Sequence, residues 1–255
     1  MSWMSDLPEH VRVNRAAWDQ EAAAYVEPAR RNWASAEISW GIWDVPEAEV
    51  GILPPVAGLD VIELGCGTAY VSAWLARRGA RPIGIDISAE QLATARAMQA
   101  EHGLEFPLLE GSAEAVPLPD SSFDLAISEY GASLWCDPDA WVAEASRLVR
   151  PGGSLVFLTN SLLLALCAPD SGPATARLVR DQRGLRAMTF PDDEGIEFHL
   201  AHGEWIATLD RHGFAVEALH EIYAPVGAEP TRFDWVTPDW ACRWPVEEAW
   251  RARRR

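Results

Sequence analysis

The sequence predicts an α/β fold: a doubly wound, mostly parallel sheet with helices on both faces and an N-terminal helical lid. Three observations predict it. Apolar, strand-like runs alternate with helical patterns from residue 61 to residue 159, the order that builds a parallel sheet. The run Val61-Ile62-Glu63-Leu64-Gly65-Cys66-Gly67-Thr68-Ala69 takes a strand straight into a glycine turn, and Asp86 closes the next strand about 20 residues on. Residues 1–55 precede this pattern and carry Trp3, Trp18, Tyr25, Trp33, Trp40 and Trp43 on a helix-then-loop pattern.

The first strand covers 61–64 and the following helix runs from about Ala69 to Arg78, with Gly79 as its left-handed stop. Ala69 carries a methyl group, so its backbone is expected to avoid strongly positive φ. The second strand is Arg81 to Asp86. Ser88-Ala89-Glu90-Gln91 is a capping box, and its helix ends at His102 before Gly103. Leu104 to Glu110 forms the third strand. Phe123 to Ser128 forms the fourth, apolar enough to be buried on both faces. Asp137-Pro138 supplies an N-cap and a first-turn proline for a helix reaching about Val149. Ser154 to Thr159 is the fifth strand. A helix over 203–211 stops at Gly213, and Phe214 to Tyr223 is a sixth strand. Val246 to Arg253 reads as a last strand, although Glu247-Glu248-Ala249-Trp250 also suits a helix. The domain reading is 1–55 as lid, 56–160 as core, 161–202 as a lid insertion punctuated by proline and glycine, and 203–255 as completion of the sheet.

A strand, a glycine turn, a helix and an acid make a site for adenosine, because the glycines admit backbone N–H groups to the ligand and the carboxylate accepts from ribose hydroxyls. A dinucleotide fingerprint from Gly65 needs a third small residue at position 70, where Tyr70 stands. A nicotinamide oxidoreductase is therefore disfavoured. The pattern E-L-G-C-G-T-A instead resembles motif I of the class I S-adenosylmethionine methyltransferases. Gly84-Ile85-Asp86-Ile87-Ser88 matches the second-strand signature of that family. Gly111-Ser112-Ala113-Glu114, Pro117-Leu118-Pro119-Asp120 and Ser122-Phe123-Asp124 match its next run, and Arg147-Leu148-Val149-Arg150-Pro151-Gly152-Gly153 matches the turn before the fifth strand. Four motifs in order cover 61–153, and the resemblance is to small-molecule enzymes of the ubiquinone/menaquinone-biosynthesis type. Ala69, where many members have glycine, and Ser112, where aspartate is frequent, are its departures.

The resemblance implies a seven-stranded Rossmann-like sheet closed by an antiparallel strand, with S-adenosylmethionine as cofactor. It implies that Gly65 and Gly67 lie against the methionine and ribose portions, with Cys66, Thr68 and Gln91 beside them and Glu63 bracing the loop. Asp86 is expected on the ribose, Ile87 on the adenine face, and Ser112, Ala113 and Glu114 at the adenine edge. Ser128 would offer its carbonyl to the methionine ammonium, and Glu129 would touch methionine or acceptor. Tyr25 and Trp33 would close over the cofactor. Trp40, Trp43, Tyr130 and Trp135 are the candidate acceptor wall, each with core packing as the rival reading. His199 and His202 are candidate general bases, since imidazole titrates near neutrality, with Tyr130 a third catalytic candidate. A thiolate, carbanion or ionised phenol acceptor would need no base.

Hydrophobic residues make up 49% of the 255, and no run of about 18 apolar residues marks a membrane span. The first residues lack a basic stretch followed by an apolar one, so a cytoplasmic protein is expected. Cys66, Cys136, Cys167 and Cys242 are scattered, which suits neither a zinc site nor a disulfide framework. The formal charge is −17, and every basic side chain is arginine. That charge repels polyanions and argues against nucleic-acid partners. The lack of lysine excludes Schiff-base chemistry and a P-loop. Arg251 to Arg255 is read as a solvated tail. The expectation is a methyltransferase acting on a small apolar or aromatic metabolite, with O-methylation the default and no membrane or metal partner. A tRNA or protein methyltransferase, a silent cofactor-binding scaffold and a homodimer remain open.

Overall fold

The computed structural model describes residues 7–191 and 194–255, so Trp3 lies outside the described residues. Two helices, α1 (Glu9–Glu21) and α2 (Val26–Ala34), joined by a 3-10 turn at Ala22–Tyr25, precede the sheet. The sheet strands are β1 (Asp60–Leu64), β2 (Arg81–Asp86), β3 (Leu108–Glu110), β4 (Phe123–Glu129), β5 (Val149–Asn160), β6 (Phe214–Ile222) and β7 (Glu247–Arg254). Their spatial order is β3-β2-β1-β4-β5-β7-β6, and all but β7 run parallel. Between them lie α3 (Tyr70–Arg77), α4 (Ala89–His102), α5 (Ala132–Trp135), α6 (Pro138–Leu148), α7 (Leu162–Cys167) and α8 (His202–Arg211).

The central strands read as apolar runs because both faces are covered. Alternate residues divide between two cores. Ile62, Leu64, Ala126, Leu155 and Phe157 pack with Trp141, Trp205 and Trp250 on one face. Val61, Leu125, Ile127, Val156 and Leu158 pack with Trp40, Ile52, Trp74 and Leu75 on the other. The capping residues act as their types dictate. Ser88 Oγ accepts from Gln91 N at 3.1 Å, and Asp137 Oδ1 accepts from Asp139 N and Ala140 N.

Three expectations are corrected, and the last strand is met. Ala69 adopts φ +58° and caps α3 in the left-handed region, because the turn must reverse there whatever side chain it carries. The third strand begins at Leu108, not Leu104: Pro107 has no N–H for the ladder, although its carbonyl accepts from Gly84 N at 3.0 Å. The segment Glu247–Trp250 is strand, since β5 and β6 offer it ladders on both sides. Arg251 to Arg255 is consequently no solvated tail. Arg251 and Arg253 pair with Glu217, Arg254 donates to the Val149 carbonyl, and Arg255 pairs with Asp210.

After β6 the chain leaves the sheet before returning as β7. This excursion, including the short helix α9 (Pro238–Ala241), packs Val236, Trp240 and Ala241 against Leu164 and Cys167 of α7. It carries residues 229–235 to the carboxyl edge of the sheet. The four cysteines are free. Among the described residues, no helix is long and apolar enough to cross a membrane.

Candidate functional site

At the carboxyl ends of β1, β2 and β4 the chain turns away from the sheet and leaves a cavity of about 1160 Å³. Its floor is the glycine turn. Gly65 N and Cys66 N both donate to the Ile85 carbonyl at 2.9 Å, which ties the turn to β2. Gly65 and Gly131 lie back to back. A Cβ on Gly131 would stand 2.1 Å from the Gly65 carbonyl oxygen, and one on Gly65 would stand 2.6 Å from Ala132 N. Only glycine fits either position.

Asp86 closes the turn electrostatically. Oδ2 accepts from Gly67 N at 2.7 Å and Oδ1 from Ser88 N at 2.8 Å. Burial pushes its carboxyl up to about 6 against those two bonds. A carboxylate has roughly four acceptor positions, so Asp86 keeps acceptor capacity for a ligand. Glu63 Oε2 accepts from Ser72 N and Ser72 Oγ, at 2.8 and 2.5 Å. It thereby braces the first turn of α3, and burial pushes it up to about 8. Glu129 accepts from the Tyr70 hydroxyl and stands at about 7, raised chiefly by lost hydration. Among the described residues, no basic side chain forms an ion pair with Glu63, Asp86 or Glu129.

An aromatic arch spans the opening. Trp135 meets Trp18 edge-on at 5.1 Å, Trp18 meets Tyr25 at 5.2 Å, and the Arg232 guanidinium lies 4.1 Å over the Tyr25 ring. Arg232 Nη1 also donates to the Ala24 carbonyl at 3.0 Å. Trp43 Nε1 donates to the Glu229 carbonyl at 3.0 Å, a second tie between the N-terminal segment and residues 229–235. Asn14 bonds Trp135 and Ile196 through its side chain, so α1 also holds the insertion before α8.

The cavity brings together Tyr25, Trp43, Glu63, Gly65, Cys66, Gly67, Thr68, Asp86, Ile87, Gln91, Ser112, Ala113, Glu129, Tyr130, Trp135 and His199. Five sequence candidates do not reach it. Trp33 is fully buried beside α4, its Nε1 donating to the Thr68 carbonyl at 2.8 Å. Trp40 is a core residue whose Nε1 donates to Glu47. Glu114 is turned to His10 and to Asp137 N, both at 2.7 Å, which pins α1 rather than an adenine edge. Ser128 is buried with its hydroxyl on the Leu64 carbonyl at 2.9 Å. His202 starts α8 and pairs with Glu248 at 2.7 Å, outside the cavity. Tyr130 lines the cavity at φ +53°, but burial and Glu247, 2.8 Å from its hydroxyl, drive its pKa well up, which removes it as a base near neutrality. Sequence reasoning missed Gly131, Asn14, Asn160 and Arg232. Gly131 alone left a signal, a glycine just past an apolar strand.

His199 is the histidine that reaches the cavity. It directly follows the short strand Glu197–Phe198 and lies two residues from Glu197, which also lines the cavity. His199 Nε2 lies 2.7 Å from Glu197 Oε2.

Residues 62–157 match the model of a methyltransferase domain. The chain is 38% identical over 115 residues to a malonyl-[acyl-carrier protein] O-methyltransferase of Pectobacterium atrosepticum, covering 44% of this chain and 43% of that one. It is 29% identical to a ubiquinone biosynthesis O-methyltransferase of Ruegeria pomeroyi over 76% of this chain and 77% of the relative. It spans about half the length of the first curated relatives it matches. The solved structure of an S-adenosylmethionine-dependent methyltransferase from Mesorhizobium loti superposes with a TM-score of 0.66 at 27% identity, over 81% of this chain and 96% of the other. Sheet order, motif order and these matches agree on one similarity: residues 62–157 resemble a methyltransferase domain, and the chain shares its fold with an S-adenosylmethionine-dependent methyltransferase.

Proposed function

We propose that this protein is an S-adenosylmethionine-dependent methyltransferase acting on a small apolar or aromatic metabolite. One observation carries the reading: a single cavity of about 1160 Å³ joins the glycine-turn floor to an aromatic wall. A site for one small molecule takes roughly 300–1,000 Å³, so this cavity has room for a cofactor and an acceptor together. The residues fit the cofactor. Asp86 keeps acceptor capacity for a ribose hydroxyl, and Glu63, Asp86 and Glu129 offer negative charge to a sulfonium and an ammonium. The close approach of Gly65 and Gly131 keeps side chains away from the methionine portion.

When bound, S-adenosylmethionine supplies an electrophilic methyl on sulfur, with a neutral thioether as leaving group. The protein's part is alignment and exclusion of water. The arch of Trp135, Trp18 and Tyr25 covers the opening, and the segments 1–55 and 161–202 act as the lid together with residues 229–235. With Glu197 accepting a hydrogen bond from Nε2–H of His199, Nδ1 is the lone-pair nitrogen, the one that takes a hydroxyl acceptor's proton.

The test is label transfer from methyl-labelled S-adenosylmethionine to separate small-molecule, tRNA and protein fractions. Label is expected in the small-molecule fraction alone. Label in tRNA or protein would overturn the acceptor class, and stabilisation by the cofactor without any transfer would make the protein a silent binder.

A further inference from the structure

We propose that Glu247 is a positioning residue: it seats the tip of the hairpin at 39–46 as a roof over the cofactor, and so sets how long the cofactor stays bound. The proposal rests on the methyltransferase reading and adds to it the group that fixes the roof. Glu247 opens β7, is buried, and does not itself line the cavity. Whatever it does for a ligand, it does through another residue.

The hairpin is held in two separate places. Its base is the pair of contacts Ser39 with Pro46 and Trp40 with Val45. Trp40 is buried and its Nε1 donates to Glu47 Oε2 at 2.5 Å, while Leu53 N donates to Glu47 Oε1 at 2.8 Å. The base therefore stands without the tip. The tip, residues 41–44, turns at Gly41 with φ +72° and at Asp44 with φ +51°, and all four of its residues line the cavity. Ile42 N donates to Glu247 Oε1 at 2.7 Å, beside the Tyr130 hydroxyl at 2.8 Å. A Cβ on Gly41 would stand 2.5 Å from Glu247 Oε1 and 2.7 Å from Oε2, so the tip backbone lies directly on that carboxyl group.

Seating Ile42 also seats Trp43. Both pack against the cluster that α7 and α9 share, and Trp43 Nε1 reaches the Glu229 carbonyl at 3.0 Å. One buried carboxyl at the sheet edge thus joins the two parts of the roof, the hairpin tip and residues 229–235. The Gly41 amide faces Glu129, but Glu129 is open to the ligand as well, which leaves Glu247 as the acid that acts through the hairpin alone. An amide that loses its acceptor must find water instead, and the tip lifts to reach it.

Surface plasmon resonance with S-adenosylhomocysteine separates on- and off-rates in the wild type, Glu247→Gln, Glu247→Leu and Gly41→Ala. Glu247→Gln keeps an oxygen acceptor for both donors and is expected to keep the off-rate within about twofold. Glu247→Leu removes the acceptor, and Gly41→Ala pushes the backbone off it. Each is expected to raise the off-rate at least about tenfold, the loss of one hydrogen bond to a charged group. Hydrogen exchange should quicken at the amides of 41–44 in these two variants and stay as in the wild type along β1 and β4. A lowered melting temperature with an unmoved off-rate in both would make Glu247 merely structural and overturn the proposal. An off-rate in Glu247→Gln as fast as in Glu247→Leu would overturn it too, since the accepting oxygen would not be what seats the tip. Gly41→Ala leaves the buried acid in place, so the test does not depend on Glu247→Leu folding. No binding of S-adenosylhomocysteine to the wild type would overturn the methyltransferase reading and the proposal with it, whereas normal binding with unmoved off-rates overturns the proposal alone.

Discussion

Gly131 and Gly65 decide the floor of the site by what they lack. Each gives its missing Cβ volume to the other's backbone, at 2.1 and 2.7 Å, so no side-chain rearrangement relieves a substitution. Gly131→Ala is expected to destabilise the fold by about 1–3 kcal/mol in chemical denaturation, the range of a forced overpacking, and to weaken cofactor binding with it. Unchanged stability would mean that the two loops do not meet. His199 and His202 separate cleanly at this scale. His199→Ala should lower turnover by about 10²–10⁴-fold with cofactor affinity unchanged, and His202→Ala, outside the cavity, should leave turnover as it is. Equal losses from both would dissolve the base assignment. Asp86 and Glu63 were legible because a motif fixes their place on a strand end. Trp33 and Trp40 were not, because an indole fills a core and a cleft wall equally well, and sequence does not say which way it faces.

At the scale of elements, the ends of β4 and β7 carry buried acids that the lid segment covers. Glu129 and Glu247 each stand at about 7, raised chiefly by lost hydration, and Ile42 N bonds Glu247 from above. Glu63 follows at about 8. Raised folded values mean that the native state holds protons the unfolded chain has released. Their stabilising contribution is complete below the ordinary carboxylate value of 4.5 and is lost as pH rises through about 7 to 8. The melting temperature of the ligand-free protein should therefore fall between pH 5 and pH 8. Affinity for the cationic cofactor should rise over about pH 6 to 8, because Asp86, Glu129 and Glu63 must be ionised to attract it. A melting temperature that climbed across that window would contradict the assignment of these acids as buried. The alternating strands and helices of the core were readable from periodicity and caps. The ends were harder. Arg251 to Arg255 looks like a charged tail until β5 and β6 are seen to need a strand between them. The excursion from 223 to 246 carries apolar residues without a helix or strand period, broken by Pro225, Pro230, Pro238 and Pro245, so nothing in it announced a wall of the site.

The molecule as a whole combines a −17 charge with a cleft whose carboxylates outnumber its arginines. Both discourage polyanions. Filter binding at low salt, where such electrostatic binding is strongest, is expected to retain no tRNA, and salt-sensitive retention would reopen the nucleic-acid reading. Fold and cofactor were written in four short motifs, since strand ends and glycine turns meet the same ligand geometry wherever they occur. The acceptor was not, because its wall is assembled from α1, the insertion before α8 and residues 229–235, segments far apart in the chain. The central claim is that this cavity binds S-adenosylmethionine through Asp86. Titration calorimetry of the wild type and Asp86→Ala tests it most directly. The account predicts one cofactor bound per chain, no heat from NADH, and at least about tenfold weaker binding in the variant, the loss of one charged hydrogen-bonding partner. Binding of NADH instead, or undiminished S-adenosylmethionine affinity in Asp86→Ala, would contradict it.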